Sequence, residues 1–280
     1  DEFAKRANAK LGAKAKVVVF GSSQLGGDKE MIQKLKLGTL DMAVPSTVMS
    51  SEVDLFGIFE MPYIVKDRQH MGRIEREIFW PKLAPEANRK GLTVLAVWEN
   101  GVRHITNSKR PIRAPADLQG IKLRVPEGKW RVKMFQAYGA NPSPMKFSEL
   151  FTALQTGVMD GQENPFTQIY SAKLQEVQKY LSLSGHVYTP AYLTVGKTKW
   201  ESLPADVRKT LEDAGVRVRD GGEGRRRAAG QDQGRRRAGE RRRQGRVHRG
   251  QPPDLRGVRQ GSAGRQGRDR PRGRAREVTA

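Results

Sequence analysis

The 280-residue sequence contains no cysteine, which excludes disulfide cross-links, thiolate nucleophiles and cysteine-ligated metals. Histidine is nearly as scarce. The four present, His70, His104, His186 and His248, form no HExxH or comparable spacing, so neither a metal site nor any other cofactor is expected. No apolar run approaches the ~20 residues that a membrane-crossing helix needs. A phosphate-binding loop is missing too: Gly196-Lys197-Thr198 has the end of that motif, but Ala191 stands where its first glycine belongs. With no nucleophile–base pair, metal set or cofactor loop, no enzyme is expected. Asp160 and Glu163 leave acid/base chemistry of a lyase or isomerase as a weaker option; the simpler reading makes Gln162-Glu163-Asn164-Pro165 a polar loop capping the next helix.

Lysine is absent from residues 217–280, as are Ile, Met, Phe, Tyr and Trp, while 21 arginines face 7 acidic residues there. That stretch supplies most of the formal net charge of +22, and residues 1–216, with 31 basic and 23 acidic side chains, are only mildly basic. Such a composition cannot build a core, so a disordered basic tail is expected. As an Arg/Gly-rich arm it makes nucleic-acid binding the alternative function, although no aromatic side chain is available to stack on bases. The change falls inside a helix begun at Pro204, where Leu203, Val207 and Leu211 call for a continuing apolar stripe. Residues from about 217 therefore read as a frameshifted translation, in which case no nucleic acid partner is expected. The chain lacks an initiator methionine and opens inside a helical pattern (Phe3, Ala4, Ala7, Leu11), which reads as a processed or truncated N-terminus.

What remains has the periodicity of an α/β protein. Lys16–Phe20 reads as a buried strand, Asp28–Leu37 as a helix stopped by Gly38, and Leu40–Val44 as a second strand, together a parallel strand–helix–strand unit. Asp54–Val65, aromatic and apolar, is either a core crossover or a pocket wall. Asp67–Phe79 reads as a helix limited by Pro81, and Leu92–Trp98 as a central strand covered on both faces. Glu99-Asn100-Gly101 breaks that strand; beyond it Arg103 and His104 fit either a solvated face or a site. Gly120–Pro126 places Ile121, Leu123 and Val125 on one face of a short strand with Arg124 near its end. There a guanidinium fork suits a carboxylate, or a structural salt bridge. An amphipathic helix (Trp130, Met134, Phe135, Tyr138), an extended connector at Asn141–Met145, a helix capped by Ser148 and a strand at Tyr188–Val195 complete the pattern.

These segments resemble the substrate-binding proteins of tripartite ATP-independent periplasmic (TRAP) transporters, of the dicarboxylate-binding type. The matching stretches include SSQLGGDKEMIQKLKLGTLDMAV (22–44), FEMPY (59–63), WENGVRHITNSKRPI (98–112), DLQGIKLRVPEG (117–128), GANPSPMKFSELFTALQTGVMDGQENP (139–165) and EVQKYLSLSGHVY (176–188). The resemblance implies a periplasmic-binding-protein-like two-lobe α/β fold with a ligand cleft between the lobes. It implies lobe I over 1–100 without its first strand, lobe II over 101–188 and a return to lobe I over 189–216, ahead of the 217–280 tail. It also implies a monomeric periplasmic receptor that binds a small organic acid and delivers it to membrane permease subunits. Its clamp on the ligand carboxylate maps onto Arg124, the arginine after Asn-Gly onto Arg103, the amide of GQENP onto Asn164 and the aromatic wall onto Phe147. Glu60 joins this set more weakly.

Overall fold

The computed structural model describes residues 1–216; the expected Arg/Gly-rich tail, with its disorder and frameshift readings, lies outside the described residues. The frame is one six-stranded sheet of order β1-β6-β2-β5-β3-β4, with β1 Met42–Ala43, β2 Leu92–Asn107, β3 Lys122–Val125, β4 Asn141–Pro144, β5 Gly161–Pro165 and β6 Tyr180–Gly196. Two strands dominate it. β2 and β6 run antiparallel along their lengths, from Leu92 opposite Gly196 to Asn107 opposite Tyr180. The apolar run Leu92–Trp98 belongs to β2, an interior strand of the sheet, but the run itself pairs only with β6, because β5 meets β2 over Arg103–Asn107. Glu99–Gly101 does not break β2. The pairing shifts between Glu99 and Gly101, and Gly101 takes a φ of 128°, a conformation that other residues rarely adopt, so the strand bends and continues.

Two expectations are corrected by this sheet. Lys16–Phe20 is not a strand, and Val18, Val19 and Phe20 are 59%, 51% and 55% exposed. β-Branched composition supplies propensity but not a partner: among the described residues no strand pairs with this stretch. Instead Asn8 binds the backbone of Val17, accepting from its N–H at 2.7 Å and donating to its carbonyl at 2.9 Å. The parallel strand–helix–strand unit is therefore not formed, and β1 pairs antiparallel with β6. Gln162-Glu163-Asn164-Pro165 is likewise no loop. It is the buried strand β5, antiparallel to β2 and parallel to β3. Close packing requires the glycine that opens it, because a Cβ at Gly161 would lie 2.4 Å from the Thr106 carbonyl oxygen. The connector at Asn141–Met145 contains the edge strand β4, where Pro142 and Pro144 are tolerated because outward-facing backbone positions need no ladder donor.

Helices α1 (Glu2–Leu11), α2 (Asp28–Leu37), α3 (Met49–Glu52), α4 (Arg68–Ile74) and α5 (Ala84–Arg89) belong to the N-terminal part of the chain. The stripe Phe3, Ala7, Leu11 packs against Val207, Leu211 and Ala214 of the helix over 205–216. Asp67 caps α4 by accepting from the His70 N–H, and a π-helical stretch, Glu75–Leu83, follows around Pro81, whose missing N–H cannot sustain the α pattern. The turn Asp54–Glu60 carries Phe56 and Phe59 into an aromatic core with Phe79 and Tyr192; ring centroids lie 4.9 Å apart for Phe56–Tyr192 and 5.6 Å for Phe79–Tyr192. Each such ring contributes about 1.5–3 kcal/mol by burial. After β3 come α6 (Lys129–Ala137), α7 (Leu150–Gln155), α8 (Phe166–Ser171) and α9 (Lys197–Ser202). Ser148 lies within a 3-10 turn, Phe147–Glu149, and makes no side-chain cap.

Candidate functional site

Alternation along β3 sends Ile121, Leu123 and Val125 into one core and turns Arg124 to the opposite side, where it is only 3% exposed. Its Nε and Nη2 both donate to the Met145 carbonyl, at 2.9 and 2.6 Å, and its guanidinium lies 5.9 Å from the centre of the Phe147 ring. Among the described residues no carboxylate lies within ion-pair distance of it, and its Nη1 has no hydrogen-bond partner. Burial lowers its pKa to about 10, which still leaves it charged at neutral pH. A buried cation satisfied only by a carbonyl is costly to keep.

Four other charged groups of this region, Glu163, Arg103, Arg131 and Glu60, are paired with one another. Glu163, on β5, is fully buried and accepts from Arg103 Nε at 2.5 Å and Nη2 at 2.9 Å, from Arg131 Nη1 at 2.7 Å, and faces His186 Nε2 at 3.0 Å. Burial pushes the Glu163 carboxyl up, but the Arg103 and Arg131 guanidiniums outweigh it and hold it well below the usual carboxylate range. Arg131 also reaches Glu60 Oε2, through Nε at 3.1 Å and Nη2 at 2.7 Å. Burial raises Glu60 against the pull of Arg131 and lowers His186, whose Nδ1 faces Ser184 Oγ at 2.8 Å. Arg103 Nη2 further donates to Asn164 Oδ1 at 3.1 Å. A relay of amides and a hydroxyl then fixes Asn164: its Nδ2 donates to Gln162 Oε1, Gln162 Nε2 donates to Thr106 Oγ1, and Thr106 donates to Gln178 Oε1.

The five sequence-predicted residues thus fall into two groups. Arg124 and Phe147 stand together, whereas Arg103, Asn164 and Glu60 are joined through Glu163 and Arg131. Sequence reasoning missed Arg131, although a signal existed: Arg131, Met134 and Phe135 share the i, i+3, i+4 stripe that α6 buries. Glu163 cannot act as a free general base while two guanidiniums hold it, and Asp160 accepts from the Lys122 backbone N–H at 3.0 Å and pairs with Lys109. At the rim, the first turn of α2 is tied to this region by Lys146 Nζ donating to Glu30 at 2.6 Å and by Lys29 lying 3.7 Å from Glu127. No helix among the described residues is long and apolar enough to cross a membrane.

Comparison with known proteins identifies the fold and the family. A chain from a Polaromonas species, a TRAP periplasmic solute-binding protein bound to D-erythronate, shares the two-lobed α/β fold with a TM-score of 0.74 and 39% identity, covering 77% of this chain and 72% of that one. Among curated relatives, the C4-dicarboxylate-binding periplasmic protein DctP of Rhodobacter capsulatus is 38% identical over 200 residues, or 71% of this chain. The 2,3-diketo-L-gulonate-binding periplasmic protein YiaO of Escherichia coli is 36% identical over 197 residues, or 70% of this chain. The alignments span 60% of the length of each of these two relatives. The model of the bacterial extracellular solute-binding proteins, family 7, matches residues 1–256, and by that match the chain belongs to this family.

Proposed function

We propose that this chain is the receptor of a TRAP-type transporter, a periplasmic protein that encloses a small organic acid and presents it to membrane permease subunits, and that it carries out no catalysis. The observation that carries the reading is the buried guanidinium of Arg124, which has no carboxylate within ion-pair distance among the described residues. A ligand carboxylate supplies the missing counter-ion, received by Nη1 of Arg124, with Phe147 as its apolar wall and Asn164 and Arg103 beside it. Glu60 acts through Arg131 and not on the ligand. Lobe I comprises 1–100 and 189–216, and lobe II comprises 101–188. The bend of β2 at Glu99–Gly101 supports a hinge there.

Calorimetry with an organic-acid panel tests the reading. Arg124→Ala removes binding, and Arg124→Lys does not restore it, because an ammonium keeps the charge but loses the planar fork. Near-native affinity in Arg124→Lys overturns the clamp.

A further inference from the structure

The charges around Arg124 narrow the ligand class, granted the receptor reading above. Glu60 and Glu163 are matched by Arg131 and Arg103, two carboxylates against two guanidiniums, all within one buried network. Arg124 adds one cation and no more. The rim beyond it carries the carboxylates Asp28, Glu30 and Glu127 and the lysines Lys29 and Lys146. Asp28 opens α2, and Glu127 follows Arg124 by three residues. The Lys146–Glu30 and Lys29–Glu127 contacts hold the first turn of α2 across this face, and a Cβ at Gly27 would lie 3.2 Å from the Lys146 side chain. Lys29 and Lys146 are thereby spent on Glu127 and Glu30. Asp28 has no ion-pair partner among the described residues. Burial raises its carboxyl while the charge of Arg124 pulls it down and that of Glu127 adds to the rise, so the three groups share one field.

We infer that the site selects acids carrying a single carboxylate and hydroxyl groups on the remaining carbons, and discriminates against dicarboxylates. One carboxylate neutralises Arg124. A second would meet Asp28, and among the described residues the lysines of this rim, Lys29 and Lys146, are already held by Glu127 and Glu30, whereas hydroxyl groups donate to Asp28.

The test uses the full chain and two sets of probes at neutral pH: erythronate, succinate and butyrate, each of four carbons, and the six-carbon pair galactonate and galactarate. Calorimetry and thermal shift are expected to show the hydroxylated monoacid of at least one set binding tenfold or more tighter than its diacid and than butyrate. Asp28→Asn narrows the monoacid–diacid gap, and Arg124→Ala abolishes binding of both. If a diacid binds as tightly as its monoacid and still depends on Arg124, the inference fails and the receptor reading stands. Butyrate binding as tightly as erythronate removes the role of the hydroxyl groups. An unchanged gap in Asp28→Asn removes Asp28 as the discriminating charge. If none of the five acids binds, the receptor reading itself falls, and the inference with it.

Discussion

Arg131 meets Glu60 through two donors, at 3.1 and 2.7 Å, and so ties helix α6 to a turn that lies 71 residues earlier in the chain. Both partners are buried, and Arg131 is the main source of compensation for Glu60, while Arg131 itself also has Glu163. Trp130, its neighbour, packs so closely on the same turn that a Cβ at Gly57 would lie 2.8 Å from the indole nitrogen.

Arg131→Met is therefore expected to destabilise the protein by about 3–5 kcal/mol, because it leaves Glu60 buried without a cation. Glu60→Gln costs less, since Arg131 keeps Glu163. Urea denaturation of the two single variants and the double variant measures the coupling. Equal and additive losses would show that the pair is not linked.

Arg124 should behave in the opposite way. Arg124→Met removes an unpaired buried charge, so the ligand-free fold is expected to keep its stability or gain up to about 1–2 kcal/mol, while acid binding is lost. A structural role for Arg124 predicts a large loss of stability instead, and urea midpoints without ligand separate the two.

The acid limb of stability should report on Glu163. Its folded pKa is held below the ordinary 4.5, so its contribution is fully present above that value and is lost as pH falls through the folded value. Glu163→Gln is expected to be less stable at neutral pH by about 3–5 kcal/mol, with Arg103 left without a carboxylate and Arg131 with Glu60 alone, and to show a flatter decline down to about pH 3. A decline parallel to the parent protein's would overturn the assignment.

Val18 and Phe20 look like core residues in the sequence and stand in solvent in the fold. Val18→Lys and Phe20→Lys are expected to change unfolding free energy by less than about 0.5 kcal/mol and to raise solubility, since they place charge on an exposed apolar stretch. A loss of 2 kcal/mol or more, the order expected for a buried side chain, would contradict their exposure.

That stretch marks the limit of what the sequence reveals. Leu92–Trp98 and Lys16–Phe20 carry the same apolar signal, yet only the first has a partner strand, β6, and strand formation depends on partners that local composition does not encode. Arg124 was legible because a charge interrupts an alternating apolar strand. β5 was not, because four polar or proline residues in succession look like a loop until the guanidiniums that satisfy them are known. Arg131 lay on a buried helical stripe, where the apolar residues drew attention and the charge among them did not. The two families of error have one source: pairing between distant segments.

The convergence on Glu163 has a consequence for how the protein matures. Its three partners lie 60, 32 and 23 residues away in sequence, on β2, α6 and β6, so this one carboxylate is satisfied only after four separate elements have come together. Closing such loops is slow compared with forming local helices. The recovery of acid binding during refolding should therefore trail the recovery of helical signal, which makes the ligand itself a reporter of the last stage of assembly.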